Sequence, residues 1–253
     1  MAGNAPPADL AEPALPRGLR LGAYEIQQVL ARSSSTVVYL ATDHALAMPV
    51  AIQEYLPARL ARRDAGLHLR AAEPWHEDTI TRGLRAFIDE ARLLAHCEHP
   101  SLVRVNHLFE ALGSAYRVMP VYSGQRLADL RNEMIGAPDE AALRALLDPL
   151  LGALETMHRG GHTHGAVTPS NILLLAGDRP LLLGPGAASH EIGSGLVDSL
   201  MATIERVTAS KRAADGATGP PPTGAALDLY LLAETIRFCI TGEALAPAGT
   251  LRA

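Results

Sequence analysis

Residues 164–173 read His-Gly-Ala-Val-Thr-Pro-Ser-Asn-Ile-Leu. Thr168, Pro169 and Ser170 are loop formers, and Asn171 opens an apolar run that ends at Leu175. Just upstream, Leu143, Leu146, Leu147, Leu150, Leu151, Leu154 and Met157 recur at helical spacing. That predicts a long helix ending at Gly160-Gly161, a plausible C-cap. Downstream, a second short apolar run covers Pro180–Leu183. Residues 184–224 are rich in Gly, Ser, Thr and Pro and read as loop, and a last helix is predicted over Ala225–Thr241. The second half of the chain is therefore mainly helical.

The first half reads differently. Strands are predicted at Tyr24–Leu30, Val37–Thr42 and Val50–Ile52, then at Val103–Phe109 and Ala115–Met119 around a turn at Gly113-Ser114. One helix interrupts them, with Leu84, Phe87, Ile88, Ala91, Leu94 and Ala95 on its apolar face. Residues 57–82 show little periodicity and read as an irregular connection. Residues 1–17, rich in Ala and Pro, read as a disordered tail. No internal repeat is present, and the fold class is α+β.

Composition narrows the function. Hydrophobic residues make up 48% and charged residues 19%, as in a globular chain, and the aromatic share of 4% leaves packing to aliphatic side chains. A net charge of -5 without a basic stripe argues against nucleic acid as the main partner. Two distant cysteines, Cys97 and Cys239, point to a reducing compartment and not to a disulfide framework. No apolar run reaches membrane-spanning length and no signal peptide is evident, so a cytoplasmic location is expected.

Several segments together resemble bacterial Ser/Thr protein kinases. Val50-Ala51-Ile52-Gln53-Glu54-Tyr55-Leu56-Pro57 resembles that family's third strand, V-A-I-K followed by E-Y-L-P. Phe87–Arg92 resembles the C-helix, and His99-Pro100-Ser101-Leu102-Val103 the H-P-N-I-V element after it. Met119–Gly124 resembles the hinge, with Met119 as gatekeeper. Residues 164–173 resemble the catalytic loop H-R-D-x-K-P-x-N-I-L, Leu183-Gly184-Pro185-Gly186 stands where D-F-G belongs, and Asp228-Leu229-Tyr230 resembles the opening of the F-helix. The matches keep the family's order and spacing from about Tyr24 to Gly242. The resemblance implies a two-lobed protein-kinase-like fold. An N-terminal antiparallel β-sheet lobe with its C-helix is expected over 18–122, and a mainly α-helical C-lobe over 123–253 that stops after the F-helix.

Phosphoryl transfer in such a fold is positioning plus charge neutralisation. The glycine-rich loop is here Ala31-Arg32-Ser33-Ser34-Ser35-Thr36, with side chains at all three glycine positions, which suits an ordinary hairpin turn. Gln53 stands in place of the phosphate-gripping lysine, so Glu90, its partner on the C-helix, needs an arginine or water instead. Ala166 replaces the catalytic aspartate, and Thr168 replaces a phosphate-contacting lysine. Gly184 replaces the metal-binding aspartate, and Asn171 alone cannot hold Mg²⁺. The expected catalytic set is therefore empty at Gln53, Ala166 and Gly184, and no metal site is expected. A vestigial nucleotide cleft would comprise Met119, Pro120, Tyr122, Glu90 and Asn171, with the Pro120 carbonyl and Tyr122 N–H facing an adenine.

These features imply a pseudokinase that binds protein partners as a scaffold or allosteric module. A second reading is a phosphotransferase with residual or non-standard activity, since His164-Gly165 also resembles the H-G-D-x-x-x-x-N of aminoglycoside phosphotransferases. A third keeps ATP without Mg²⁺ and without transfer. Other clusters read as structural or solvated: His158, His162 and His164; Cys97 between His96 and His99; and a basic spot at Arg59, Arg62 and Arg63. Ser194, Ser199, Thr203, Thr208 and Ser210 are modifiable residues of a polar loop.

Overall fold

The computed structural model describes residues 14–184 and 223–243. Its first layer is a six-stranded antiparallel sheet ordered β1-β2-β3-β4-β8-β7. The strands are β1 (Arg20–Leu21), β2 (Tyr24–Arg32), β3 (Thr36–Asp43), β4 (Met48–Tyr55), β7 (His107–Ala111) and β8 (Ser114–Met119). A small hairpin of β5 (Ala61–Arg63) and β6 (Leu69–Ala71) follows β4, and helix α1 (Glu77–His96) packs across β8. The second layer holds α2 (Leu127–Glu133), α3 (Glu140–Arg159) and α4 (Ala225–Thr241). Beside them lies a three-stranded sheet of β9 (Gly124–Arg126), β10 (Ile172–Leu175) and β11 (Arg179–Leu182).

Alternation along β4 and β8 explains how one pair of strands serves two cores. All six residues of β8 are buried. Side chains of a strand point alternately to its two faces. Ala115 joins Tyr55, Phe87 and Ile88 beneath α1, while Tyr116 and Val118 join Ile26, Tyr39 and Ile52 on the opposite face. Arg117 is paired in register with Gln53, so both belong to the face that carries Ala115 and Tyr55.

The opposite face buries an acid. Glu54 accepts from Tyr39 (2.6 Å), Tyr116 (2.7 Å) and Arg63 (2.6 Å), with none of its side chain exposed. Burial, and then the Glu54 charge, raise both phenols above the ordinary tyrosine range. Arg63 also donates to the Leu67 carbonyl at 2.8 Å and is 6% exposed, so it is not part of a solvated basic spot. Arg59 and Arg62 do face solvent. A buried carboxylate must be paired, and the β5–β6 hairpin delivers the partner.

The structure revises several other expectations. Residues 57–82 are not irregular throughout: they contain β5, β6, a 3-10 turn at Pro74–His76 and the first turn of α1. Strands of three residues are too short to show a period, and inward-facing Arg63 disguises the alternation further. The helix α2 escaped the periodicity reading because seven residues make barely two turns. The disordered-tail reading of 1–17 lies outside the described residues up to 13. Beyond that it fails, because Leu15 is buried and its N–H donates to the Tyr39 hydroxyl at 3.0 Å. Replacing Arg63 with Met should cost about 3 kcal/mol in urea denaturation by leaving Glu54 buried without a counter-charge, whereas exposed Arg62→Met should stay within about 0.5 kcal/mol.

Candidate functional site

A chain of buried polar contacts crosses the cleft side of the sheet. It starts in the turn between β2 and β3, where the Ser33 hydroxyl accepts from the N–H groups of Ser35 (3.3 Å) and Thr36 (3.0 Å). The Ser33 and Thr36 hydroxyls lie 2.9 Å apart, and the Ser33 N–H donates to the Thr36 carbonyl at 2.8 Å. Backbone donors that a glycine-rich turn would offer to phosphates are here consumed by a serine side chain. Gln53 Nε2 then donates to Thr36 Oγ1 at 2.9 Å, and Gln53 Oε1 accepts from Arg117 Nε at 2.7 Å. Arg117 Nη1 donates to Glu90 Oε1 on α1 at 2.7 Å.

Glu90 is thus arginine-paired, one of the two partners the sequence left open. The pair is buried, with side chains 1% and 7% exposed, and the Arg117 guanidinium stands 5.1 Å from the centre of the Phe87 ring. The cation at this place enters from β8. Arg117 was not singled out from the sequence. The available signal was a charged residue inside the otherwise apolar run Ala115–Met119.

Gly184 belongs to the same unit. A Cβ built on it would lie 2.6 Å from Glu90 Oε1, 2.8 Å from Leu94 Cδ1 and 3.1 Å from Arg117 Nη2. Only glycine permits the ion pair to stand that close to the backbone. Pro185 and Gly186 lie outside the described residues, as do Ser194, Ser199, Thr203, Thr208 and Ser210 and the continuation past 243.

The loop of 164–173 is held from α4. Asp228, fully buried, accepts from the N–H groups of His164 (2.8 Å) and Gly165 (2.6 Å) and contacts His158 Nε2 at 2.8 Å. His164 Nε2 lies 2.6 Å from the Leu183 carbonyl. Burial, the largest influence, holds its imidazole below the usual histidine range. Asn171 Nδ2 donates to the Ala166 carbonyl at 2.8 Å, bracing the loop, and its Oδ1 has no hydrogen bond among the described residues. Ala166 is buried and offers only its backbone.

Between sheet and helical layer lies a cleft of about 270 Å³. Leu30, Val38 and Ala51 line it from the sheet, Leu173 and Leu183 from the other side, with Met119, Pro120 and Tyr122 at the hinge. Gln53, Arg117 and Gly184 line it too, whereas Glu90 and Asn171 do not appear on its wall. Arg32 and Arg126 add two more guanidinium groups, and no carboxylate lines the cleft among the described residues. The donor set does not fit Mg²⁺, which favours carboxylates with phosphate and water oxygens in octahedral geometry. Among the described residues no group of three or more His, Cys, Asp or Glu side chains converges, and the clusters around His158 and Cys97 assemble nothing of that kind. Cys97 and Cys239 are buried and free, and burial raises both thiols, Cys239 to about 11, so neither presents a thiolate.

Comparisons with known proteins bear on the fold. A family model described as protein kinase domain matches residues 70–190. Serine/threonine-protein kinase PknD of Mycobacterium tuberculosis is 27% identical over 226 residues, covering 89% of this chain and 30% of the relative. PknL of Mycobacterium bovis is 31% identical over 151 residues, covering 60% of this chain and 33% of the relative. The chain therefore spans about a third of the length of the curated relatives it matches. Among solved structures, PpkA-294 in its apo form superposes with a TM-score of 0.72 at 30% identity, covering 91% of this chain and 80% of the other. The kinase domain of M. tuberculosis PknI superposes with a TM-score of 0.61 at 22% identity, covering 92% and 79%, a likeness of fold.

Two outcomes follow from the buried groups. Arg117→Met should cost about 3–5 kcal/mol in chemical denaturation because Glu90 is left charged and buried, and the double change with Glu90→Leu should recover most of that loss. His164 binds its proton more weakly folded than unfolded, so its contribution is intact above the unfolded value of 6.5 and is lost as pH falls below it. The variant His164→Asn should therefore show a shallower loss of stability below that pH, measured as urea midpoint against pH.

Proposed function

We propose that this chain, which belongs to the protein-kinase-like superfamily, is a pseudokinase domain: it keeps the fold, transfers no phosphate and serves as a binding, scaffolding or allosteric module for a protein partner. The observation that carries this reading is the Arg117–Glu90 pair standing against Gly184. Transfer needs a base for the hydroxyl proton, a carboxylate for the metal and a cation for the phosphates. Ala166 supplies no base, and Gly184 supplies no carboxylate. The cation beside Gly184, Arg117, is held by Gln53 and Glu90.

The replacements are physically coupled. An aspartate at 184 would drive its Cβ into Glu90 and the Arg117 guanidinium. A lysine at 53 would place a second cation beside Arg117 with a single carboxylate between them. A side chain at 184 therefore requires the ends of Glu90, Leu94 and Arg117 to shift. A protein-binding role fits a scaffold whose loop, sheet and helices are tied by buried contacts of their own. The cytoplasm is the location that suits such a module. No helix among the described residues is long and apolar enough to cross a membrane.

The deciding measurement is label transfer from γ-labelled Mg·ATP, both to the chain itself and to generic acceptor proteins. No incorporation above a no-enzyme blank is expected. Incorporation that disappears in an Asn171→Ala variant would establish residual phosphotransferase activity and overturn the proposal. Single reversion Gly184→Asp should lower the melting midpoint and still give no transfer.

A further inference from the structure

We infer that the corner joining α2 to α3 is a self-association surface, at which Ile135 of each copy of the chain enters the groove of the other across a two-fold axis. No residue of the cleft takes part, so the inference stands apart from the pseudokinase reading.

The first support is a projecting side chain beside a groove that suits it. Ile135 is 105% exposed, and Met134 before it is 37% exposed. Both follow directly on Glu133, the last residue of α2. Beside them lies a cavity of about 280 Å³, walled by Leu130, Met134, Pro138, Leu143 and Leu146 along the α2–α3 corner and by Leu174 from β10. Against about 30 Å³ for one water molecule, that volume holds a branched aliphatic side chain. Fully exposed, Ile135 fills nothing in its own protomer. A bare isoleucine next to an apolar groove is surface that association would bury.

The second support is symmetry. Knob and groove occupy one corner of the molecule. A two-fold axis then seats each knob in the opposite groove and closes the assembly at two copies, whereas a knob and groove on separate faces would propagate into a fibre. Both halves of the contact belong to this chain, which is the reason to assign the groove to a second copy.

The third support is charge. The charged lining residues are Arg131 and exposed Asp178. Arg131 Nε donates to the Cys239 carbonyl at 2.7 Å and Nη2 to the Ile240 carbonyl at 3.4 Å, and no carboxylate pairs with it among the described residues. Glu133 is exposed and bonds no side chain among the described residues. Two residues apart on a helix, these opposite charges do not face each other within a protomer. Across the two-fold, Glu133 of one copy enters with Ile135 toward Arg131 of the other. Such rim charges fix the register of the contact more than its strength.

Sedimentation velocity of the whole chain, over a concentration range that brackets the expected Kd by about thirtyfold each way, tests this. One side chain exchanged each way makes a small contact, so a reversible dimer with a Kd on the order of 10 µM is expected. The variant Ile135→Asp should raise that Kd about a hundredfold, because the two-fold counts each change twice. Ala145 is exposed and lines the groove, so Ala145→Trp, which fills it, should do the same. An equimolar mixture of the two variants keeps one intact knob and one intact groove, and should associate more strongly than either variant alone. Trp75→Asp, at a residue 73% exposed elsewhere, should leave the Kd unchanged. All three positions face solvent, and an unaltered melting midpoint of each variant shows that it is folded. A chain that stays monomeric throughout overturns the inference, as does a dimer that Trp75→Asp breaks and Ile135→Asp does not. A monomer whose melting midpoint rises with decanoate would give the groove to a small apolar ligand and overturn it equally.

Discussion

Arg117 and Glu90 meet at 2.7 Å in the interior, and much of the architecture is arranged around the cost of putting them there. Taking two charges out of water is repaid only by close approach and by further hydrogen bonds. Gln53 supplies one such bond from the facing strand, and Phe87 places a ring near the guanidinium. Gly184 contributes by having no side chain, which lets the pair sit against the backbone. Helix α1 is pinned to the sheet by this pair and by the apolar cluster of Tyr55, Phe87, Ile88 and Ala115. Moving α1 would strip the arginine of its counter-charge, so its position depends on the protein's own residues.

The same economy appears elsewhere. Glu54 is buried one residue along β4 from Gln53, and alternation sends it into the other core with two phenols and Arg63 as partners. Asp228 in the first turn of α4 collects the N–H groups of His164 and Gly165. Ser33 closes its own turn. In each place a buried or turn-forming polar group is satisfied internally.

Much of the fold was legible because its signals are local. The heptad-like leucines of 143–157 become α3, and the predicted last helix, Ala225–Thr241, coincides with α4. Strands β2, β3, β4 and β8 were found within a few residues of their ends, β7 starts four residues later than predicted, and the two-residue β1 was missed. The replaced positions Gln53, Ala166 and Gly184 were identified by motif, and two of the three line the cleft. What local pattern could not carry was short or paired. The three-residue strands β5 and β6 have no measurable period. Met119, Pro120 and Tyr122 line the cleft, whereas Glu90 bonds Arg117 and Asn171 bonds the Ala166 carbonyl.

The sequence alone determined the α+β architecture, the order of the elements, and the residue types Gln53, Ala166 and Gly184 at the positions that the motifs mark. These are properties of residue type and spacing along the chain. Only the tertiary structure decided what surrounds them. Arg117 lies 64 residues from Gln53 and 27 from Glu90, and sheet register and helix docking bring the three together. No local pattern encodes that meeting. A charge is tolerated in the interior only if its counter-charge arrives from elsewhere in the fold, so the partner becomes visible once the chain is folded.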